Sequence, residues 1–229
     1  QEDLHVFPVS QDSQSIIDCF INEANKLKIE IKTKIPVTQL IPQEDGSINL
    51  VGKDELLIGN YDKVIIATGG SPKLAGLDWL IDLDHQIEHP VPSLFTFNMP
   101  QSNIRDLMGV VVNPATATIQ GSKLKASGPL LITHWGMSGP AIIVLSAFGA
   151  RHLSELNYQF NVQINWTNDQ NFNSVFSYLE ENQKINSKKL ATNFKPYGLP
   201  TRLWLYLLDK CDISHTKVWQ EFGKKQLNK

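Results

Sequence analysis

The chain is short of the features that mark several large protein classes. It has two cysteines in 229 residues, Cys19 and Cys211, far apart in sequence. That excludes a disulfide framework, and their amphipathic surroundings predict two buried free thiols. No apolar run reaches the roughly 18–20 residues that span a bilayer. Charge is also scarce: 19% of residues are charged, and 21 basic against 23 acidic side chains leave a net charge of -2. Neither nucleic acid nor an anionic membrane is expected as a partner on that balance. No Gly-x-Gly-x-x-Gly occurs, since the only adjacent glycines are Gly69 and Gly70 and no pair lies two apart. The first residues, Gln1-Glu2-Asp3, show no leader pattern, and a cytoplasmic location is expected. With no initiating Met, the chain reads as an excised piece of a longer protein.

Enough apolar material is present for a core, at 41% of residues. Leu4 to Pro8 predicts a short extended piece. Ile16, Ile17, Phe20, Ile21, Ala24 and Leu27 follow the helical period, with Asp12 or Ser13 as a cap. Ile29 to Thr33 alternates and predicts a strand. Residues 37–41, 47–51 and 55–58 predict an antiparallel meander, because Asp45-Gly46 is a strong hairpin signal and Gly52 marks the next turn. Lys63 to Gly70 is rich in β-branched residues and predicts a strand buried on both faces of a parallel sheet.

Four prolines, Pro72, Pro90, Pro92 and Pro100, then punctuate the chain. A short helix is expected over 77–83. Strands are expected over 94–99, 109–113, 115–120, 130–133 and 158–166. Ser138 to Leu153 predicts a helix with Pro140 at its start, where the missing N–H costs nothing. Three further helices are expected at about 169–183, 199–211 and 214–228. The fold class is therefore mixed α+β: a partial α/β piece over 1–72, with one helix, a parallel strand pair and a meander, then a barrel-like domain with added helices over 73–229.

Two segments carry chemistry. Ala67-Thr68-Gly69-Gly70 delivers backbone poor in side chains to a strand end, where ligands of open α/β sheets bind. Taken alone, it fits equally a buried strand closing in a glycine turn. Thr133-His134-Trp135-Gly136-Met137-Ser138-Gly139-Pro140 combines donors and glycines with a helix N-terminus, a natural anion or carbonyl site. It also fits a plain arrangement in which Ser138 caps the helix and His134 and Trp135 pack. Ser138 is not in a nucleophile elbow, because Pro140 stands where that motif needs glycine.

Three weaker signals are discounted. His85 and His89 have ligand-like spacing, but Pro90 and Pro92 oppose a metal-binding helix and no third ligand is evident, so no metal is expected. Asn165-Trp166-Thr167 matches a glycosylation sequon, which carries no weight without secretion. Lys184, Lys188, Lys189, Lys195 and Lys210, with Phe194 and Tyr197, are offset by Glu180 and Glu181 and predict a solvated helical face.

Together, Phe7-Pro8-Val9-Ser10, Ala67-Thr68-Gly69-Gly70 and Thr133 to Pro140 resemble a widespread family of bacterial NAD(P)/FAD-dependent oxidoreductases. These are also called aminoacetone-oxidase-like, with one branch named for bile-acid reduction. The resemblance implies a Rossmann-type FAD domain interrupted by an inserted β-barrel domain with attached helices. It implies that Val37, Ala67, Thr68, Gly69, Gly70, Gly136 and Gly139 border the FAD, and that His134 and Ser138 line the substrate side. A small organic substrate is implied, with NAD(P)H as candidate electron donor. Two departures stand out: Leu4-His5 replaces the Gly-Arg that precedes Val-Phe-Pro in that family, and its glycine-rich pyrophosphate turn is absent. The chain thus reads as a central fragment, expected to bind flavin weakly or not at all by itself. The alternative is a non-catalytic binding or interaction module.

Overall fold

The computed structural model describes residues 6–229. Leu4 and His5 of the expected N-terminal extended piece lie outside them. The chain divides into two compact units, one ending at His89 and one running from Pro90 to Lys229.

The first unit opens with α1, Gln14–Lys26. Its apolar positions follow the helical period, yet they are uncovered within the unit: Phe20 is 73% exposed, and Ile16, Ile17 and Ile21 are also exposed. Cys19 on this helix is exposed too, contrary to the buried thiol expected, because no neighbouring element covers the helix face. The meander forms as β1 Val37–Pro42, β2 Ile48–Gly52 and β3 Leu57–Tyr61, all antiparallel. Asp45 secures the first turn by accepting from the Ser47 amide at 2.9 Å and the Ser47 hydroxyl at 2.6 Å. The Ser47 side-chain bond, ahead of the backbone one, holds the Asp45 carboxyl below its ordinary value. Gly46 completes the turn at φ +84.

The expected parallel strand pair does not form. Neither 29–33 nor 63–70 is paired in a ladder, and Ile65 is 92% exposed. A parallel strand is stable only with ladder partners at its edges and cover on both faces. Among the described residues, the meander is the only sheet of this unit, and it offers neither.

The second unit is built on a five-stranded antiparallel sheet that curls as a half-barrel. Its strands are β4 Phe97–Asn98, β5 Val111–Ile119, β6 Lys125–Ile132, β7 Gly136–Ser138 and β8 Val162–Asn165, in the order β4-β7-β6-β5-β8. The two strands expected on either side of Pro114 are one. Its register shifts between Val112 and Ala115, where a proline without an N–H cannot join the ladder.

The helix expected over 138–153 is two: α2 Pro140–Phe148 and α3 Ala150–Glu155, divided at Gly149. Ala141, Ile142 and Leu145 of α2 are buried and pack with β6. The core below them includes Ala117, Ile119, Leu130, Ile132, Met137 and Leu203.

Helices α4 Phe172–Ile185 and α5 Thr201–Lys210 confirm two of the expected C-terminal helices. The third is broken. A 3-10 turn at Trp219–Glu221 and the short α6 Lys224–Leu227 take its place. Val218 bridges to Leu190 as extended chain instead, and Trp219 donates its amide to Lys189. The Trp219 indole is buried with Leu208, Phe222 and Leu227 in a second core cluster. Its Nε1 has no hydrogen-bond partner, a deficit of about 1–3 kcal/mol for a buried donor. Among the described residues, no helix is long and apolar enough to cross a membrane.

This distribution of burial sets the cost of truncation. Leu130 is fully buried in the centre of the sheet, so Leu130→Ala should destabilise the second unit by about 2–5 kcal/mol in urea unfolding. Ile65→Ala should change stability by no more than about 0.5 kcal/mol. Equal effects at the two positions would contradict the assigned core.

Candidate functional site

The two sequence segments with chemical content lie in different units, and each forms its own site. In the first unit, Val37 at the start of β1 meets Ala67 and Thr68 on one small apolar cavity of about 150 Å³. Leu40 and Leu50 of the meander close its floor, and Val64, Ile65 and Ile66 lie along it. Trp79 completes the lining from the 3-10 segment Asp78–Leu83. Sequence reasoning missed Trp79, although a lone indole beside Leu77 and Leu80 in a proline-punctuated region was a signal for a ring at a cavity wall.

Gly69 and Gly70 continue from this cavity but do not line it. A Cβ at either would meet nothing within 4 Å. The backbone there is open to a ligand, and Gly69 holds φ +78, which disfavours a side chain.

In the second unit, residues 133–138 are a tight hairpin and not the loop-then-cap expected. The Thr133 amide donates to the Gly136 carbonyl at 2.8 Å, and the Gly136 amide donates to the Thr133 hydroxyl at 3.2 Å. That leaves His134 and Trp135 as the two tip residues. Their rings meet edge to face with centroids 4.1 Å apart, and both side chains are exposed. The tip is nonetheless anchored, because the Met99 amide donates to the Trp135 carbonyl at 2.7 Å.

Ser138 lies in β7 opposite Leu131, half-buried, and does not cap α2. The cap position is Gly139, whose carbonyl accepts the first helical amides, from Ile142 and Ile143, each at 3.0 Å. The helix start lies over the sheet: Ala141 and Ile142 are fully buried, and a Cβ on Gly128 of β6 would lie 3.7 Å from the Ala141 amide nitrogen.

Gly136 and Gly139 therefore serve packing directly. A Cβ on Gly136 would collide with the Phe97 carbonyl and lie 2.9 Å from the Met99 nitrogen. A Cβ on Gly139 would lie 2.7 Å from the Pro129 carbonyl oxygen, at a φ of +94. These glycines let β7 run against β4 on one side and β6 on the other, and so hold His134 and Ser138 at opposite ends of one short strand connection. Among the described residues, no group of three His, Cys, Asp or Glu side chains could hold a metal.

Residues 91–229 match the family described as HI0933-like protein barrel and H2TH domain. That is more than half of the chain, and the chain belongs to this family, which is associated with FAD-dependent oxidoreductase-like proteins. No curated protein matches the chain.

The packing at β7 makes a sharp contrast. Gly136→Ala should destabilise the second unit by about 2–4 kcal/mol, because backbone atoms of β4 must move. Gly69→Ala, strained only by its left-handed backbone, should cost about 1–2 kcal/mol. Thermal unfolding of the two variants checks this, and a harmless Gly136→Ala would contradict the close approach.

Proposed function

We propose that this member of the HI0933-like family is the central part of an FAD-dependent oxidoreductase acting on a small organic substrate in the cytoplasm. The observation that carries the reading is the barrel-and-H2TH match over residues 91–229. The cavity at Val37, Ala67 and Thr68, followed by the open backbone of Gly69 and Gly70, supports it from the first unit. The finer assignment is the NAD(P)/FAD-dependent, aminoacetone-oxidase-like group, with a Rossmann-type domain over 1–72 in part, an insert over 73–229, and NAD(P)H as electron donor.

The residues present fit one part of FAD and not the whole. Val37, Ala67 and Thr68 offer an apolar wall for a flat ring. The glycine backbone beyond them admits close approach. A cavity of about 150 Å³ is smaller than the roughly 300–1,000 Å³ of ordinary ligand pockets. The chain also lacks the Gly-x-Gly-x-x-Gly turn that cradles a pyrophosphate. On this reading the remaining contacts to FAD come from residues outside this chain. When bound, the flavin supplies the redox chemistry.

Within the chain, His134 and Ser138 serve the substrate. The His134 imidazole is the one side chain of the hairpin that carries a basic ring nitrogen, and it stands exposed at the tip. It takes or returns a substrate proton there. The Ser138 hydroxyl orients a substrate oxygen by hydrogen bonding. Gly136 and Gly139 keep the hairpin backbone in place for both.

The test uses the full-length protein beside this chain. Purified full-length protein should carry FAD at one equivalent, while residues 1–229 alone should show no stoichiometric flavin absorbance. His134→Ala in the full-length protein should keep the flavin band and lower turnover on the organic substrate by about 10²–10⁴. A colourless full-length protein that takes up no FAD would overturn the oxidoreductase reading. Unchanged turnover would remove the proton role from His134.

A further inference from the structure

Charge is unevenly distributed along the chain. Residues 184–229 hold ten basic side chains against three acidic ones, Asp209, Asp212 and Glu221. The remaining residues hold eleven basic against twenty acidic. The near-neutral total therefore conceals a segment whose ten basic and three acidic groups leave a net charge of +7. Asymmetry of that size points to a polyanionic partner.

The fold gathers six of these lysines into one region. Lys184 lies in the last turn of α4. Its neighbour Gln183 donates its side-chain amide to the Trp219 carbonyl at 2.9 Å and to the Phe222 carbonyl at 2.7 Å. Those bonds tie the end of α4 to the chain just before Lys224 and Lys225. Lys188 and Lys189 lie in a segment that runs antiparallel to residues 217–220. There the Trp219 amide donates to the Lys189 carbonyl at 2.9 Å, the Gln220 amide to the Ser187 carbonyl at 2.9 Å, and the Ala191 amide to the Lys217 carbonyl at 2.8 Å. Lys217 is half-buried, with its Nζ 5.8 Å from the centre of the Phe222 ring, and the other five lysines are exposed.

Their charges are not spent within the chain. Among the described residues, none of the six ammonium groups is ion-paired with a carboxylate. The three acids of the segment are engaged elsewhere: Asp209 with the His215 imidazole at 2.8 Å, Asp212 with Lys229 at 3.2 Å, and Glu221 with the Val218 amide at 3.4 Å. Glu180 and Glu181, one helical turn before Lys184, make no ion pair with it. Like charges fixed on a folded support repel one another, and a regular row of anions relieves that repulsion.

The rest of the surface selects among polyanions. Binding at a lipid surface uses an apolar face beside the charges. Among the described residues from 186 to 229, no large hydrophobic side chain is exposed, because Trp219 and Phe222 are buried beside a half-open hollow of about 500 Å³. One exposed isoleucine at the border, Ile185, falls short of such a face. Single-stranded nucleic acid is held by rings on which its bases stack, and this surface presents none. A duplex needs neither. It offers closely spaced phosphates, which lysines meet as point charges.

We propose that this lysine surface at the end of α4 binds the phosphate backbone of a nucleic-acid duplex without reading its sequence. The acidic excess of the remaining residues repels phosphate and confines the contact to this surface. The whole-chain balance, which by itself speaks against nucleic acid, averages over the segregation. The surface shares no residue with the flavin reading and does not rest on it.

The probe is a fluorescein-labelled, mixed-sequence DNA duplex of twenty base pairs, titrated with the full chain and followed by anisotropy. At about 50 mM salt it should bind saturably in the micromolar range. Log K should fall with log salt at a slope of about -3 to -5, the limit being about 0.9 for each of six lysines. Lys188→Gln with Lys189→Gln should reduce the slope by about 2 and weaken binding at least about 10-fold. Lys53→Gln with Lys73→Gln removes the same charge from exposed positions of the first unit and should change binding by no more than about 2-fold. All four substitutions are at exposed side chains, and unchanged thermal unfolding shows that the fold is kept. No saturable binding, or an equal loss in the two double variants, would overturn the proposal. So would tighter binding to the single strand or to phosphatidylserine vesicles, or displacement by poly-glutamate as effective as by unlabelled duplex.

Discussion

The contact on which the second unit depends is the approach of the β7 backbone to its two neighbours. Gly136 lies against the Phe97 carbonyl of β4, and Gly139 lies against the Pro129 and Leu131 backbone of β6. No side chain fits between, so the strands come together only if both positions lack a Cβ. From this follow the short β6–β7 turn, the exposed tip of His134 and Trp135, and the seat of α2 on the sheet. The sheet in turn gives α2 a floor of Ala117, Leu130 and Ile132, against which Ile142 and Leu145 are buried while Val144 and Phe148 stay exposed. The candidate catalytic residues thus stand on a rigid support, as a site that must hold a substrate to within fractions of an ångström requires.

The first unit presents the opposite balance. Among its described residues only Leu40 and Val51 are buried hydrophobics, while α1 and the 63–68 segment leave large apolar side chains in solvent. The meander is stitched by its own ladder and by the Asp45–Ser47 turn, so it persists with little core. The apolar helix face and the apolar run are the parts that a parallel sheet would bury. A cofactor domain completed by further strands would use both, which is the physical content of the proposal that other residues finish the flavin site.

Much of this was legible in the sequence, and the failures have identifiable causes. Helical periodicity located α1, α4 and α5, because a 3.6-residue repeat is a local property. Asp45-Gly46 located the first hairpin for the same reason. Ile29 to Thr33 and Lys63 to Gly70 have the composition of strands, but a strand exists only with a partner, which composition cannot specify. Pro114 suggested a break between two strands, whereas one register shift lets a single strand pass it. Residues 214–228 carried helical spacing, yet Trp219 gains more by entering the aromatic cluster than by continuing a helix. At the site, the motif Thr133 to Pro140 was recognisable. That its glycines serve strand packing, with Ser138 in a strand instead of a cap, emerged only from the distances to β4 and β6. The hollow around Trp219 is formed by residues far apart in sequence, and no local pattern announces it.

The central proposal is that each unit carries a ligand-facing segment of a flavoprotein, Ala67 to Gly70 in the first and the His134 hairpin in the second. Hydrogen exchange of the full-length protein, measured with and without FAD, tests it most directly. The account predicts that flavin binding slows exchange at the amides of residues 67–70 and 134–136, while the amides of β5 and β6, already protected in the core, change little. Unaltered exchange at both segments on saturation with FAD would contradict it.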